Sequence, residues 1–94
     1  MKLFVYGTLK KGGANHKFLK DSKYVSQYCL NNHILIDLGY GFPYMIKGDG
    51  SVLGEVYEIN QKTLNNIDRL EGHPNHYKRY LANYYDEIAG MYYY

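Results

Sequence analysis

The sequence predicts a small α+β domain whose sheet is curled or closed. Three observations predict it. Short β-type runs recur along the chain, only two helical segments interrupt them, and 94 residues suffice for one modest core and nothing more. No internal repeat, linker or low-complexity block divides the chain, so residues 1–94 read as a single domain.

The elements follow in order. Residues 2–6 form a β-type run that meets Gly7, and a polar loop continues to Gly12 and Gly13. Glycine allows close approach of a ligand to the main chain, and successive amides in such a loop can form an anion-binding concavity. An ordinary glycine-rich turn is the other reading, and both stay open. Gly7 and Gly12 have P-loop spacing, but Gly13 and Ala14 stand where Lys and Ser/Thr are required. There is thus no phosphate clamp and no magnesium ligand, which excludes a nucleotide hydrolase. Residues 14–20 read as a short helix carrying Phe18 and Leu19. Residues 24–38 hold one or two strands, with Ile34 and Ile36 alternating against Leu35 and Asp37.

A loop is expected over 39–43, a brief strand over 44–46, and a hairpin-type turn at Lys47-Gly48-Asp49-Gly50. Val52 to Ile59 is the clearest strand, with Leu53, Glu55, Tyr57 and Ile59 on one face. Glu55 is then a carboxylate that either faces inward or forms a salt bridge at the rim. Residues 60–71 read as a helix capped by Asn60, with Leu64, Ile67 and Leu70 as its apolar stripe. Gly72-His73-Pro74 ends it. Glu71 lies four residues past Ile67, on the edge of that stripe. A carboxylate aimed inward loses hydration, its pKa rises, and it can move protons near neutral pH. A glutamate at a helix end can equally bend out to water. Two more strands, 77–85 and 88–94, are joined by a turn near Asp86-Glu87.

Composition narrows the function classes. Net charge is +2 with both signs scattered, which does not suggest a polyanion binder. Lys10, Lys11, Lys17, Lys20 and Lys23 make the early segment basic and read as a solvated face rather than a nucleic-acid site. The lone Cys29 excludes an intramolecular disulfide framework, and its strand context reads as packing rather than catalysis. The apolar start, Leu3 to Tyr6, is too short for a signal peptide or membrane span, so a cytoplasmic protein is expected. His16, His33, His73 and His76 show no metal-ligand spacing with Cys or carboxylate support, apart from His73 and His76, which read as loop residues, and no serine sits in a nucleophile elbow. Thirteen tyrosines, against three Phe and no Trp, offer apolar area together with hydroxyls that could line a polar pocket.

Three segments carry a resemblance. They are Val5-Tyr6-Gly7-Thr8-Leu9-Lys10-Lys11-Gly12 with Asn15-His16, then Gly54-Glu55-Val56-Tyr57, then Ile67-Asp68-Arg69-Leu70-Glu71-Gly72 with Pro74, Tyr77 and Arg79. In this order and spacing the chain resembles the gamma-glutamylcyclotransferase-like family, in particular its gamma-glutamylamine cyclotransferase branch. The resemblance implies a small mixed β-barrel with flanking helices and a pocket at one end. It implies that the α-amine of a γ-glutamyl group attacks its own side-chain amide, releasing 5-oxoproline and a free amine, with no cofactor and no metal. By match, Glu71 is the acid/base residue and Tyr6, Gly7, Thr8 and Leu9 hold the glutamyl moiety. Tyr77, and Tyr92 or its neighbours, are expected to add hydroxyls to the pocket, and the 88–94 strand to close the barrel. The chain stops at Tyr94, inside that strand, where relatives usually continue, and so reads as shortened. Two other classes remain: a binding module that uses the same pocket without turnover, and an interaction domain built on the tyrosines and early lysines. The partner expected is a small γ-glutamyl compound, with no nucleic acid and no membrane.

Overall fold

A computed structural model describes residues 1–39, 43–85 and 87–94; for Asn83 and residues 87–89 it describes the backbone alone. The strands are β1 (Lys2–Val5), β2 (Lys23–Asp37), β3 (Pro43–Glu58), β4 (Tyr80–Tyr84) and β5 (Glu87–Tyr93). They form one mixed sheet in the order β2-β3-β1-β5-β4. β1 runs antiparallel to β3, with Val5 opposite Glu55, and parallel to β5, with Leu3 opposite Tyr92. A 3₁₀ turn spans His16–Leu19, and one α-helix, α1, spans Gln61–Glu71.

Helix α1 starts where its sequence says it should. The Asn60 side chain accepts from the Thr63 amide, and Gly72 closes the helix in the left-handed region at φ 70°. Leu64 and Ile67 are buried, whereas Leu70 is 37 % exposed at the end of the stripe.

The core lies on both faces of the central strands. Leu3, Val5, Tyr57, Ile59 and Tyr94 pack with Leu9 and Leu19 against Leu64 and Ile67 of α1. On the opposite face Phe4, Val52, Val56, Met91 and Tyr93 pack with Leu30 and Tyr84. Gly54 belongs to this arrangement: a Cβ there would collide with the Val5 carbonyl oxygen and fall 2.5 Å from the Phe4 ring. The absent side chain is what lets β3 carry the Phe4 ring directly over its backbone.

Three expectations are corrected. The sheet is not closed into a barrel: β2 and β4 are its two edges, and β5 is an interior strand between β1 and β4 rather than a closing one. Among the described residues the edges meet through side chains alone, by a 2.9 Å hydrogen bond between Ser26 Oγ and the Tyr84 hydroxyl and by the Tyr28 and Tyr84 rings. A barrel needs a backbone ladder at that seam. Second, Lys47-Gly48-Asp49-Gly50 is not a hairpin turn. Residues on both sides of it pair onward with the same strand, Lys47 with His33 and Ser51 with Asn31. Gly48, Asp49 and Gly50 therefore form an irregularity inside one long strand, opposite Asn32 at φ 62°. The loop expected over 39–43 falls mainly on residues 40–42, outside the described residues, as does Asp86 of the last predicted turn. Cys29 is exposed on β2, contrary to the packing expected of it.

Candidate active site

Beyond Val5, the last residue of β1 in the ladder, the chain leaves the sheet in a tight loop. Lys10 N–H donates to the Gly7 carbonyl at 3.0 Å, and Gly13 N–H to that of Lys10 at 2.8 Å. Asn15 binds Thr8 twice, through its amide to the Thr8 carbonyl and through Nδ2 to Oγ1, both at 2.9 Å. His16 Nδ1 donates to the Leu9 carbonyl at 2.9 Å. Gly13 is required for this closure, because a Cβ would collide with the Thr8 carbonyl oxygen. Glu55 ties the loop to β3: its Oε1 accepts from Lys11 N–H at 2.9 Å and from the Tyr57 hydroxyl at 3.0 Å. Burial, with that hydrogen bond to Glu55, pushes the Tyr57 phenol up to about 12. Glu55 is thus a strut for the loop. The amides of Gly7, Thr8 and Leu9 donate to no acceptor among the described residues.

The loop forms one side of a cavity of about 190 Å³. Tyr6, Gly7, Thr8, Leu9 and Asn15 line it together with Leu70 and Glu71 from the last turn of α1. Pro43, His76, Tyr77 and Tyr94 complete the wall, over Phe4 and Val5. No lysine or arginine lines the cavity among the described residues. Gly7 has an ordinary backbone here; among the described residues a Cβ on it would meet the Pro43 ring alone, at 3.8 Å. Both residues line the cavity, so the missing side chain leaves room beside Pro43 for a ligand.

Glu71 is half-buried, and its carboxylate has no hydrogen-bond or ion-pair partner among the described residues. Loss of hydration alone raises its pKa above the usual carboxylate range. The nearby phenols are committed elsewhere. Tyr6 donates to the Tyr94 main-chain oxygen at 3.2 Å, Tyr77 to the Pro43 carbonyl at 3.0 Å, and Tyr94 to Asp68. Burial pushes the Tyr77 phenol up to about 12 and raises those of Tyr6 and Tyr94 as well, so all three stay neutral. The aromatic wall extends outward through Tyr44, stacked on Tyr77 at 4.7 Å, whose hydroxyl meets His76 Nε2 at 3.0 Å.

Of the residues singled out from the sequence, Glu71, Tyr6, Gly7, Thr8, Leu9 and Tyr77 come together around this cavity. Tyr92 does not; its ring lies 4.7 Å beneath the Arg79 guanidinium. Tyr94, two residues on and on the same strand face, takes the place at the wall. Asn15, Pro43 and His76 were not expected there. Asn15 stood inside a recognised motif, but Pro43 and His76 reach the cavity through tertiary packing, for which the sequence carries no local signal. Among the described residues no three His, Cys, Asp or Glu side chains gather where a metal could be held, and no helix is long and apolar enough to cross a membrane.

Comparison with known proteins adds independent findings. The family profile described as "Gamma-glutamyl cyclotransferase, AIG2-like" matches residues 3–94. A putative gamma-glutamylcyclotransferase of Methanocaldococcus jannaschii is 40% identical over 86 residues, which cover 82% of this chain and 66% of that protein. The gamma-L-glutamyl-butirosin B gamma-glutamyl cyclotransferase of Niallia circulans is 42% identical over 69 residues, 73% of this chain and 44% of that one. The chain therefore spans less than two thirds of the length of either relative. The crystal structure of an uncharacterized protein from Pyrococcus horikoshii superposes with a TM-score of 0.79 at 27% identity, covering 99% of this chain and 75% of that one.

Proposed function

Because the chain belongs to the gamma-glutamyl cyclotransferase, AIG2-like family, we propose that it converts a γ-glutamyl amide into 5-oxoproline and a free amine, with Glu71 moving the protons. One observation carries the reading: a carboxylate raised by burial and a loop of backbone amides, both without partners among the described residues, share a small cavity. About 190 Å³ lies below the roughly 300–1,000 Å³ of pockets for drug-sized ligands, and suits an amino-acid-sized occupant.

The chemistry asks little else of the chain. The α-ammonium of the substrate must lose a proton before its nitrogen attacks the side-chain carbonyl, and the departing amine must gain one. Glu71 takes the first proton and returns it to the leaving nitrogen, which a carboxylate of raised pKa does better than an ordinary one. Negative charge developing on the amide oxygen, and that of the α-carboxylate, fall to the amides of Gly7, Thr8 and Leu9, since no cationic side chain lines the described cavity. Ring closure is intramolecular, so holding the glutamyl group in a folded conformation supplies much of the rate. Tyr6 and Tyr77 shape the apolar part of the site. The likeness of the 5–12 and 67–79 segments favours the gamma-glutamylamine branch, in which an amine rather than an amino acid leaves.

The test is a panel of γ-glutamyl amines and γ-glutamyl amino acids, assayed for 5-oxoproline with the parent protein and with Glu71→Gln. Release of 5-oxoproline by the parent and its loss in the variant is the expected result. Binding of a γ-glutamyl compound by both without turnover would replace the enzyme by a binding module.

A further inference from the structure

We propose that Asp68 is a positioning residue for the chemistry at Glu71: its carboxylate grips the Tyr94 hydroxyl and the Arg79 guanidinium, and so fixes the Tyr94 ring as the wall that keeps water from Glu71. The proposal deepens the reading of Glu71 as the proton-transfer group and rests on it.

Asp68 stands three residues before Glu71 on α1, one turn away on the same side. Its Oδ1 receives Arg79 Nε at 2.9 Å and its Oδ2 receives Nη2 at 3.1 Å, a two-pronged pair of fixed geometry. The Tyr94 hydroxyl donates to the same Oδ1. Tyr94 is held at its other end too, where its main-chain oxygen accepts from Tyr6. Between these anchors the ring is 6 % exposed, packed in the cluster that contains Leu64 and Ile67, and it lines the cavity. Arg79 cannot swing away easily. Its amide donates to His73 Nδ1 at 2.9 Å, and its guanidinium rests on the Tyr92 ring. This places Tyr92 in the same assembly one step removed from the cavity.

The groups that face Glu71 are Tyr6 just after β1, Tyr77 and His76 from the segment after α1, Tyr94 just after β5, and the apolar Leu70 beside it on α1. Among the described residues no lysine or arginine stands with them. The protonation of Glu71 is therefore governed by how well this wall excludes water, and loosening Tyr94 should be read directly at Glu71. A purely structural Asp68–Arg79 pair, docking α1 on the sheet, would leave that titration where it is in Tyr94→Phe, which changes no charge.

The experiment uses two mild variants. Tyr94→Phe keeps the ring and removes its anchor; Asp68→Asn keeps an acceptor oxygen and removes the charge that pairs Arg79. The side-chain carboxyl of Glu71, identified by its absence in Glu71→Gln, is titrated by carbon NMR, and kcat and KM are measured on the γ-glutamyl amide that the parent turns over. Glu71 is expected to titrate closer to the ordinary carboxylate range in both variants. The expected fall in kcat is roughly ten-fold, short of the about 100-fold that a 1 Å misplacement can cost, with KM nearly unchanged. The double variant should go no further than the larger single one, because both act through one contact. An unchanged Glu71 titration in the folded variants would overturn the proposal. The titration needs no substrate, so absence of turnover in the parent counts against the cyclotransferase reading alone.

Discussion

Replacing Glu71 by Gln retains size and hydrogen-bonding capacity while removing the exchangeable proton. Turnover should fall by about two to four orders of magnitude, while binding of a γ-glutamyl compound survives. The parent rate should decline at acid pH with an inflection above the ~4.3 of an unperturbed glutamate, because burial disfavours the charge. The same substitution has a stability signature of definite sign. The folded chain binds the Glu71 proton more tightly than the unfolded chain. Stability from this group is therefore full below the unfolded pKa and is lost as pH rises through the folded one. Glu71→Gln should melt higher than the parent at pH 7 and together with it below about pH 4. Equal melting temperatures at both pH values would show that Glu71 is hydrated after all. Gly7→Val tests the other side of the cavity. Among the described residues its Cβ meets Pro43 alone, so the variant should fold, fill the space beside Pro43 and lose ligand binding, measurable by calorimetry. At this scale the sequence was readable where local spacing placed a residue, as for Glu71 on the edge of its stripe. It was not readable for Tyr92 against Tyr94. Alternation puts both on one face, and only the docking of α1, through Asp68, decides which one reaches the cavity.

Helix α1 is the element in which sequence and structure agree most closely, since its cap, stripe and stop are all written locally. Asn60→Ala, which strips the acceptor from Thr63, should cost about 1 kcal/mol by denaturant unfolding. β3 shows where such reasoning fails. Gly48, Asp49 and Gly50 have the composition of a reversing turn, yet the chain continues along β2 beyond them. Turn residues relax the backbone locally; whether it then reverses or bulges is settled by the partner strand. Gly54 carries the opposite lesson, because its role is legible only once Phe4 is seen lying across it. Gly54→Ala should separate β1 from β3 and destabilise the protein by about 1–3 kcal/mol, the usual range for overpacking a core, read by thermal melting.

For the whole molecule, the α+β class followed from the count of short runs, while closure of the sheet did not follow from anything local. A barrel and an open five-stranded sheet differ only in whether two strands distant in sequence share a ladder, and here β2 and β4 share side-chain contacts instead. The consequence for truncation is sharper than for a closing strand. β5 joins β4 to the rest of the sheet and covers one edge of β1, so deleting residues 90–94 should release β4, expose β1 and cause unfolding or aggregation. A soluble truncation with a cooperative melt would show that the segment is dispensable.

The parallel pairing of β1 with β5, Lys2 beside Met91 and Leu3 beside Tyr92, sets an order of events during synthesis. β1 needs as its neighbour β5, which is made only after β2, β3, α1 and β4. Until residues 87–93 have emerged, β1 can be satisfied on one side only, by β3, and Tyr94 is missing from the wall beside Glu71. Such long-range closure slows folding and leaves a nascent strand edge to be shielded in the interval. The cavity is consequently incomplete until Tyr94 is in place, and a ribosome stalled before β5 would carry a chain able to pair β1, β2 and β3 but lacking the Tyr94 wall.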